Sequence, residues 1–188
     1  MRCTEPAFTG IMIVLLLSIG STLHAKSAPQ DIARSYGWEA GIVNSPDHLG
    51  VSVRTPATDG IFNTFTLTAE MRNVLSGRET APGVKFIFQH NRAIAGGMLG
   101  GQYPWMLYAG PGVTCGYVRD LSPVYGFMAG VSGNIGIRAG FMNNISAAIE
   151  FQGDIAFIIR DISNPSMSLY RTGVYRCWIP VLKIAYAF

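Results

Sequence analysis

From Phe127 to Phe141 the chain alternates with a period of two. Phe127, Ala129, Val131, Gly133, Ile135, Ile137, Ala139 and Phe141 are set against Met128, Gly130, Ser132, Asn134, Gly136, Arg138 and Gly140. The alternation resumes at once, with Ile145, Ala147, Ile149, Phe151, Gly153, Ile155, Phe157 and Ile159 facing away from Ser146, Ala148, Glu150, Gln152, Asp154 and Arg160. One face of each segment is apolar and the other is small or polar. This is the periodicity of a strand, whereas an amphipathic helix repeats its apolar residues at 3.6. Only Met142, Asn143 and Asn144 separate the two runs. Asn tolerates the left-handed conformations of tight turns, so a hairpin of two long strands is expected.

Weaker copies lie upstream. Phe65, Leu67, Ala69 and Met71 oppose Thr64, Thr66, Thr68 and Glu70, and Val84, Phe86 and Phe88 oppose Lys85 and Gln89. Eight segments emerge, at 35–43, 49–55, 61–72, 82–92, 105–119, 125–141, 144–160 and 175–188. Gly110-Pro111-Gly112 is expected as a bulge or bend inside the fifth, and Gly96-Gly97 and Gly100-Gly101 are expected in a loop. Twenty-two glycines, 13% charged residues and dispersed aromatics suit strands and tight turns in a single domain. The fold expected is an all-β, closed, antiparallel up-and-down barrel that spans a membrane with about eight strands. An even count puts both ends of the chain on one side.

Arg2 precedes an unbroken apolar run, Ile11 to Leu17, and Ser21-Thr22-Leu23-His24-Ala25 follows, with Ala25 as the expected last residue before cleavage. That run is too short to span a bilayer, so residues 1–25 read as a secretory signal and 26–188 as the barrel domain. Cys3 leaves with the signal. Cys115, on an apolar face, and Cys177, on the opposite face of its own segment, are expected as free thiols. The net charge of +3, without a basic run, argues against nucleic acid.

Alternation alone fits either lipid outside the barrel or an apolar ligand inside it, as in a soluble lipocalin-like binding barrel. The last segment bears on the choice. Leu182, Ile184, Tyr186 and Phe188 alternate up to a terminal Phe, which resembles the sorting signal of outer-membrane barrels. That resemblance implies periplasmic chaperones and the barrel-assembly machinery as partners during biogenesis, with outer-membrane lipid as the surroundings. Glu39, Arg54, Glu70, Lys85, Arg138, Glu150, Asp154 and Lys183 then share the inner face, where both signs invite ion pairing and fill a narrow interior. Trp38, Trp105, Tyr125, Trp178 and Tyr186 lie near strand ends, as interfacial girdles require. With the termini in the periplasm, the Asn143-Asn144 turn is periplasmic, while Asn73 to Ala81 and Asp161 to Gly173 face outward.

Gly83-Val84-Lys85-Phe86, Leu107-Tyr108-Ala109-Gly110-Pro111-Gly112 and Tyr175-Arg176 through Pro180 to Phe188 resemble small outer-membrane β-barrel proteins of Bacteroides-type bacteria. The resemblance implies architecture and no assigned reaction. A lipid A deacylase or acyltransferase would need a base beside a hydroxyl. The deacylase barrels carry His-x-Ser, yet His48 is followed by Leu49-Gly50 and His90 by Asn91-Arg92. No Cys/His cluster has ligand spacing and no phosphate-cradling glycine loop precedes a helix, so no cofactor or metal is expected. The sequence thus points to a non-enzymatic barrel with a structural or interaction role and a packed polar interior. Asp161 to Gly173 is the expected contact loop for an external partner of unknown identity.

Overall fold

The computed structural model describes residues 37–71, 74, 77, 83–99, 102–120, 125–141, 144–160, 166–175 and 177–188. The expected signal segment, the 35–36 edge of the first expected strand, Asn143 and most of the 73–81 loop lie outside them. The described strands are β1 (Glu39–Asn44), β2 (His48–Arg54), β3 (Ile61–Glu70), β4 (Gly83–Leu99), β5 (Tyr103–Arg119), β6 (Tyr125–Phe141), β7 (Ile145–Arg160), β8 (Ser166–Leu169) and β9 (Pro180–Ala187). A five-residue helix, α1 (Arg171–Tyr175), stands between the last two strands.

Every pairing is antiparallel. Neighbours in sequence pair from β1 to β7, β7 pairs with β9, and β9 returns to β1. The sheet is therefore a closed up-and-down barrel of eight staves, and closure leaves no long edge to aggregate. The register also fixes its shape. From Ile149 the cross-strand partners run through Leu182, Asn44, Leu49, Ala69, Val84, Tyr117 and Phe127 back to β7 at Ile159. The return falls 159 − 149 = 10 residues along the strand. Eight strands with that stagger tilt by about 40°, and the interior is just wide enough for side chains to fill.

The eighth stave is built in two pieces. β8 pairs with the far part of β7, Phe157 to Arg160, and β9 pairs with the near part, Ile145 to Phe151. Residues 170–179 therefore span the same stretch of wall as residues 152–156. The excess is taken up by α1, whose Thr172 and Gly173 are buried. Gly173 is required there, because a Cβ would meet the Asp154 carbonyl oxygen at 2.7 Å.

Four expectations need correction. The strand expected at 175–188 begins at Pro180, since Arg171–Tyr175 is helical. The expected loop from Asp161 to Gly173 is, over its described residues, strand β8 and the start of α1. Gly96-Gly97 is not in a loop: β4 continues to Leu99 because Tyr103 to Leu107 supply partners, with Gly96 opposite Met106 and Gly97 opposite Trp105. Gly110-Pro111-Gly112 makes no bulge against β6, for β5 pairs with β6 without a shift from Trp105 to Arg119. The irregularity lies in β4, between Ala93 and Ala95. The two glycines instead allow close approach, since a Cβ on Gly110 would lie 2.1 Å from the His90 carbonyl oxygen.

Candidate functional site

The strand parity sorts the side chains into two environments. Outward stand Ile42, Leu49, Val51, Val53, Phe65, Leu67, Val113, Phe127, Val131, Ile149, Phe157 and Ile184, all exposed, with Phe127 at 64%. Inward stand Thr64, Thr66, Thr68, Gln89, Asn91, Thr114, Asn134 and Glu150, all buried. A water-soluble protein has the reverse arrangement and rarely exposes an apolar patch beyond a few hundred Å². Here the apolar surface continues round the whole barrel.

Within the lumen, opposite charges meet. Glu39 at the base of β1 takes both Arg54 from β2, at 3.4 Å, and Arg138 from β6. Arg54 also lies 4.0 Å from the Phe62 ring centre, a cation on a π face. Near mid-height, Glu150 receives Lys183 Nζ at 2.8 Å, the Tyr108 hydroxyl at 2.9 Å and Gln89 Nε2 at 3.4 Å. Further up, Lys85 Nζ donates to Asp154 Oδ2 at 2.8 Å, and Gln152 donates to the other oxygen of that carboxylate. Seven of the eight expected inner residues thus meet in three clusters. Glu70, the eighth, is buried on β3 opposite His48. Such pairs are what make buried charge tolerable in a low dielectric.

Among the described residues small spaces remain inside. One lies at the end that carries the termini, against Glu39, Arg54, Phe62, Tyr108 and Arg138. Another lies toward the far end, against Ser45, Asp47, His48, Thr66, Lys85, Asp154 and Tyr170. Lys183 borders both, so the Glu150 cluster stands between them.

The insert that carries α1 is anchored by Asp120 and Thr172, which the sequence did not single out, and by Tyr170, expected in the outer contact loop but buried. Asp120, after β5, accepts from the Thr172 N–H at 3.0 Å, the Thr172 hydroxyl at 2.9 Å and Arg160 at 3.0 Å. Tyr170 fills the lumen beside Val118, Met128, Ala156 and Ile158, and its N–H donates to the Ala156 carbonyl. Only a fold that places Asp120 beside Thr172 reveals this clamp, although Tyr108 could have been found by carrying the inward parity of β5 back from Thr114.

His90 is exposed on the outer face, 2.8 Å from Asn63 Oδ1. His48 lies at the β1–β2 turn, with its Nδ1 3.3 Å from the Ser45 hydroxyl. That hydroxyl also accepts the His48 N–H at 3.0 Å, and Ser45 N–H donates to the His48 carbonyl. Ser45 therefore closes a tight turn with His48. Cys115 is exposed on the outer face and Cys177 is buried in the insert, both as free thiols. No group of three His, Cys, Asp or Glu side chains that could hold a metal ion occurs among the described residues. The terminal alternation places Leu182, Ile184, Tyr186 and Phe188 outward on and just after β9. Of the expected girdle, Trp38, Trp178 and Tyr186 are exposed, and Trp105 and Tyr125 are half-buried.

No family model matches the chain, and no curated protein matches it. Among solved structures it is similar to the crystal structure of the N-terminal β-barrel domain of Pseudomonas aeruginosa OprF. The match covers 80% of this chain and 95% of that one, with 14% identity and a TM-score of 0.45.

Proposed function

We propose that this chain is a small integral outer-membrane β-barrel, of the kind found in Bacteroides-type bacteria, with a structural or interaction role. The observation that carries the reading is the inversion of faces: apolar side chains cover the outside of a closed barrel while ion pairs and amides fill the inside. In lipid every backbone polar group must be paired within the protein, and a closed barrel achieves this. A soluble lipocalin-like barrel would place its apolar face inward, around the ligand. The packed interior argues against an open pore, since Glu150, Lys183, Tyr108 and Gln89 join across the lumen between those spaces.

On this reading the secretory segment exports the chain, periplasmic chaperones and the assembly machinery deliver it through the strand ending at Phe188, and the far end faces outward. Fractionation of cells that express the protein tests it. Recovery in the outer-membrane fraction, with a gel mobility that changes on boiling, is the expected result. A soluble periplasmic monomer would overturn the reading.

A further inference from the structure

The apolar outer face is broken by charge at one place below the far rim. On the described strands all four carboxylates, Glu39, Glu70, Glu150 and Asp154, are buried inside. His90 and Arg92, two residues apart on β4, are exposed outside, and the remaining outward cation of these strands, Arg119, ends β5 at the far rim. Charge that faces lipid is rare in membrane-spanning segments, because it is tolerated only near the headgroups or beside a partner.

The register gives their depth. Each residue climbs about 2.5 Å along the axis of a barrel tilted by about 40°, and a stagger of ten residues over eight staves shifts each cross-strand partner by about 3 Å. Trp105 and Tyr117 face outward on β5, twelve residues or about 30 Å apart along the axis. Arg92 pairs with Ala109, four residues above Trp105, and so lies about 7 Å above that level. His90 then lies about 12 Å above it, and Asn63, the partner of His90 on β3, about 9 Å. The three polar side chains form a short ladder in the lower half of the apolar face, with Arg92 lowest.

The ladder offers donors. His90 Nδ1 donates to Asn63 Oδ1 at 2.8 Å, so the amide oxygen is engaged and its NH2 group is left to donate. Arg92 carries a fork of N–H donors on a stem that can lie along the wall toward the headgroups. Its neighbour on β5, Ala109, is too small to cover it. A second copy of the chain brings no carboxylate from the described outer strand faces, and a two-fold contact through this patch would set like charges together. A diacyl phospholipid is complementary, since its anionic phosphate lies outermost and its ester carbonyls lie a few ångström deeper, all of them acceptors.

We propose that Arg92 and Asn63 form a site for a phospholipid of the leaflet at the terminus end, with the phosphate on the Arg92 guanidinium and an ester carbonyl on the Asn63 amide. The proposal rests on the membrane reading above. Fractionation decides that reading, and an outer-membrane protein whose lipid affinity ignores Arg92 would overturn this one alone.

The full mature protein, refolded in a non-ionic detergent, is titrated with dioleoyl phosphatidylglycerol and, separately, with dioleoylglycerol, and bound lipid is counted by native mass spectrometry. One saturable, tightest step with the phosphatidylglycerol, absent with the phosphate-free lipid, is the expected result. Arg92→Gln should weaken that step roughly ten-fold and Asn63→Leu roughly five-fold. Arg119→Gln removes the same charge at the far rim and should leave the affinity unchanged, while the heat-dependent gel shift confirms that each variant is folded. Equal binding of dioleoylglycerol, an equal loss in Arg119→Gln, or full affinity in Arg92→Gln would overturn the proposal. So would a dimer that dissolves in Arg92→Gln, which would give the patch to a second copy.

Discussion

Glu150 offers the sharpest probe of the lumen. It is 1% exposed and accepts from Lys183, Tyr108 and Gln89. Glu150→Leu leaves the Lys183 ammonium buried without its carboxylate, a change that costs about 3–5 kcal/mol in such sites. It also strands the Tyr108 hydroxyl, which adds about 1 kcal/mol. With a urea slope near 2 kcal/mol/M, a loss of about 5 kcal/mol moves the unfolding midpoint down by about 2.5 M. Glu150→Leu with Lys183→Met removes both charges, and replacement of a buried pair by apolar residues is often close to neutral. The double variant should therefore recover most of the loss and lie within about 2 kcal/mol of the parent, the residue being the hydroxyl and the altered packing. Urea unfolding in lipid vesicles, followed by tryptophan fluorescence and by the heat-dependent gel shift, measures both. A single variant that costs under about 1 kcal/mol, or a double variant whose loss equals the sum of the two singles, would refute the claim that these charges are buried and mutually dependent.

Val131→Arg, on the outer face midway along β6, should cost about 2–4 kcal/mol in a bilayer by vesicle unfolding, whereas an exposed position in water would barely register. Asp120→Ala removes the acceptor that holds Thr172 and Arg160; Cys177 alkylation by a water-soluble maleimide, measured in a Cys115→Ala background, should accelerate at least ten-fold while the gel shift persists. Unchanged labelling would mean that the insert is held by something else. Ser45→Ala should leave the lipid composition of expressing cells unaltered by mass spectrometry, and a change in acylation would revive the enzymatic reading.

Much of the architecture was legible because one face of each strand must differ from the other. The hairpin of β6 and β7 was placed within a residue, and every member of the expected inner set is buried. Parity carries that information, since a one-residue slip would have turned Arg138 and Glu150 into lipid. The split stave was not legible. Ser166–Leu169 is too short to show a period, and α1 has five residues, too few for a helical repeat. Its place depends on contacts with Asp120 and Asp154, about fifty and twenty residues away in the chain. The extension of β4 through Gly96-Gly97 escaped for a related reason. Glycine pairs usually mark turns, and only the partner strand shows that Gly97 makes room for the Trp105 indole, 3.0 Å from where a Cβ would stand.

Contact between the outer face and lipid can be measured directly. With Trp38, Trp105 and Trp178 replaced by Phe and a single tryptophan introduced as Val131→Trp, fluorescence is recorded in vesicles whose acyl chains carry bromine at successive depths. Strongest quenching by bromine near the chain ends, at the centre of the bilayer, is the predicted result. A tryptophan that answers only to aqueous quenchers would contradict it.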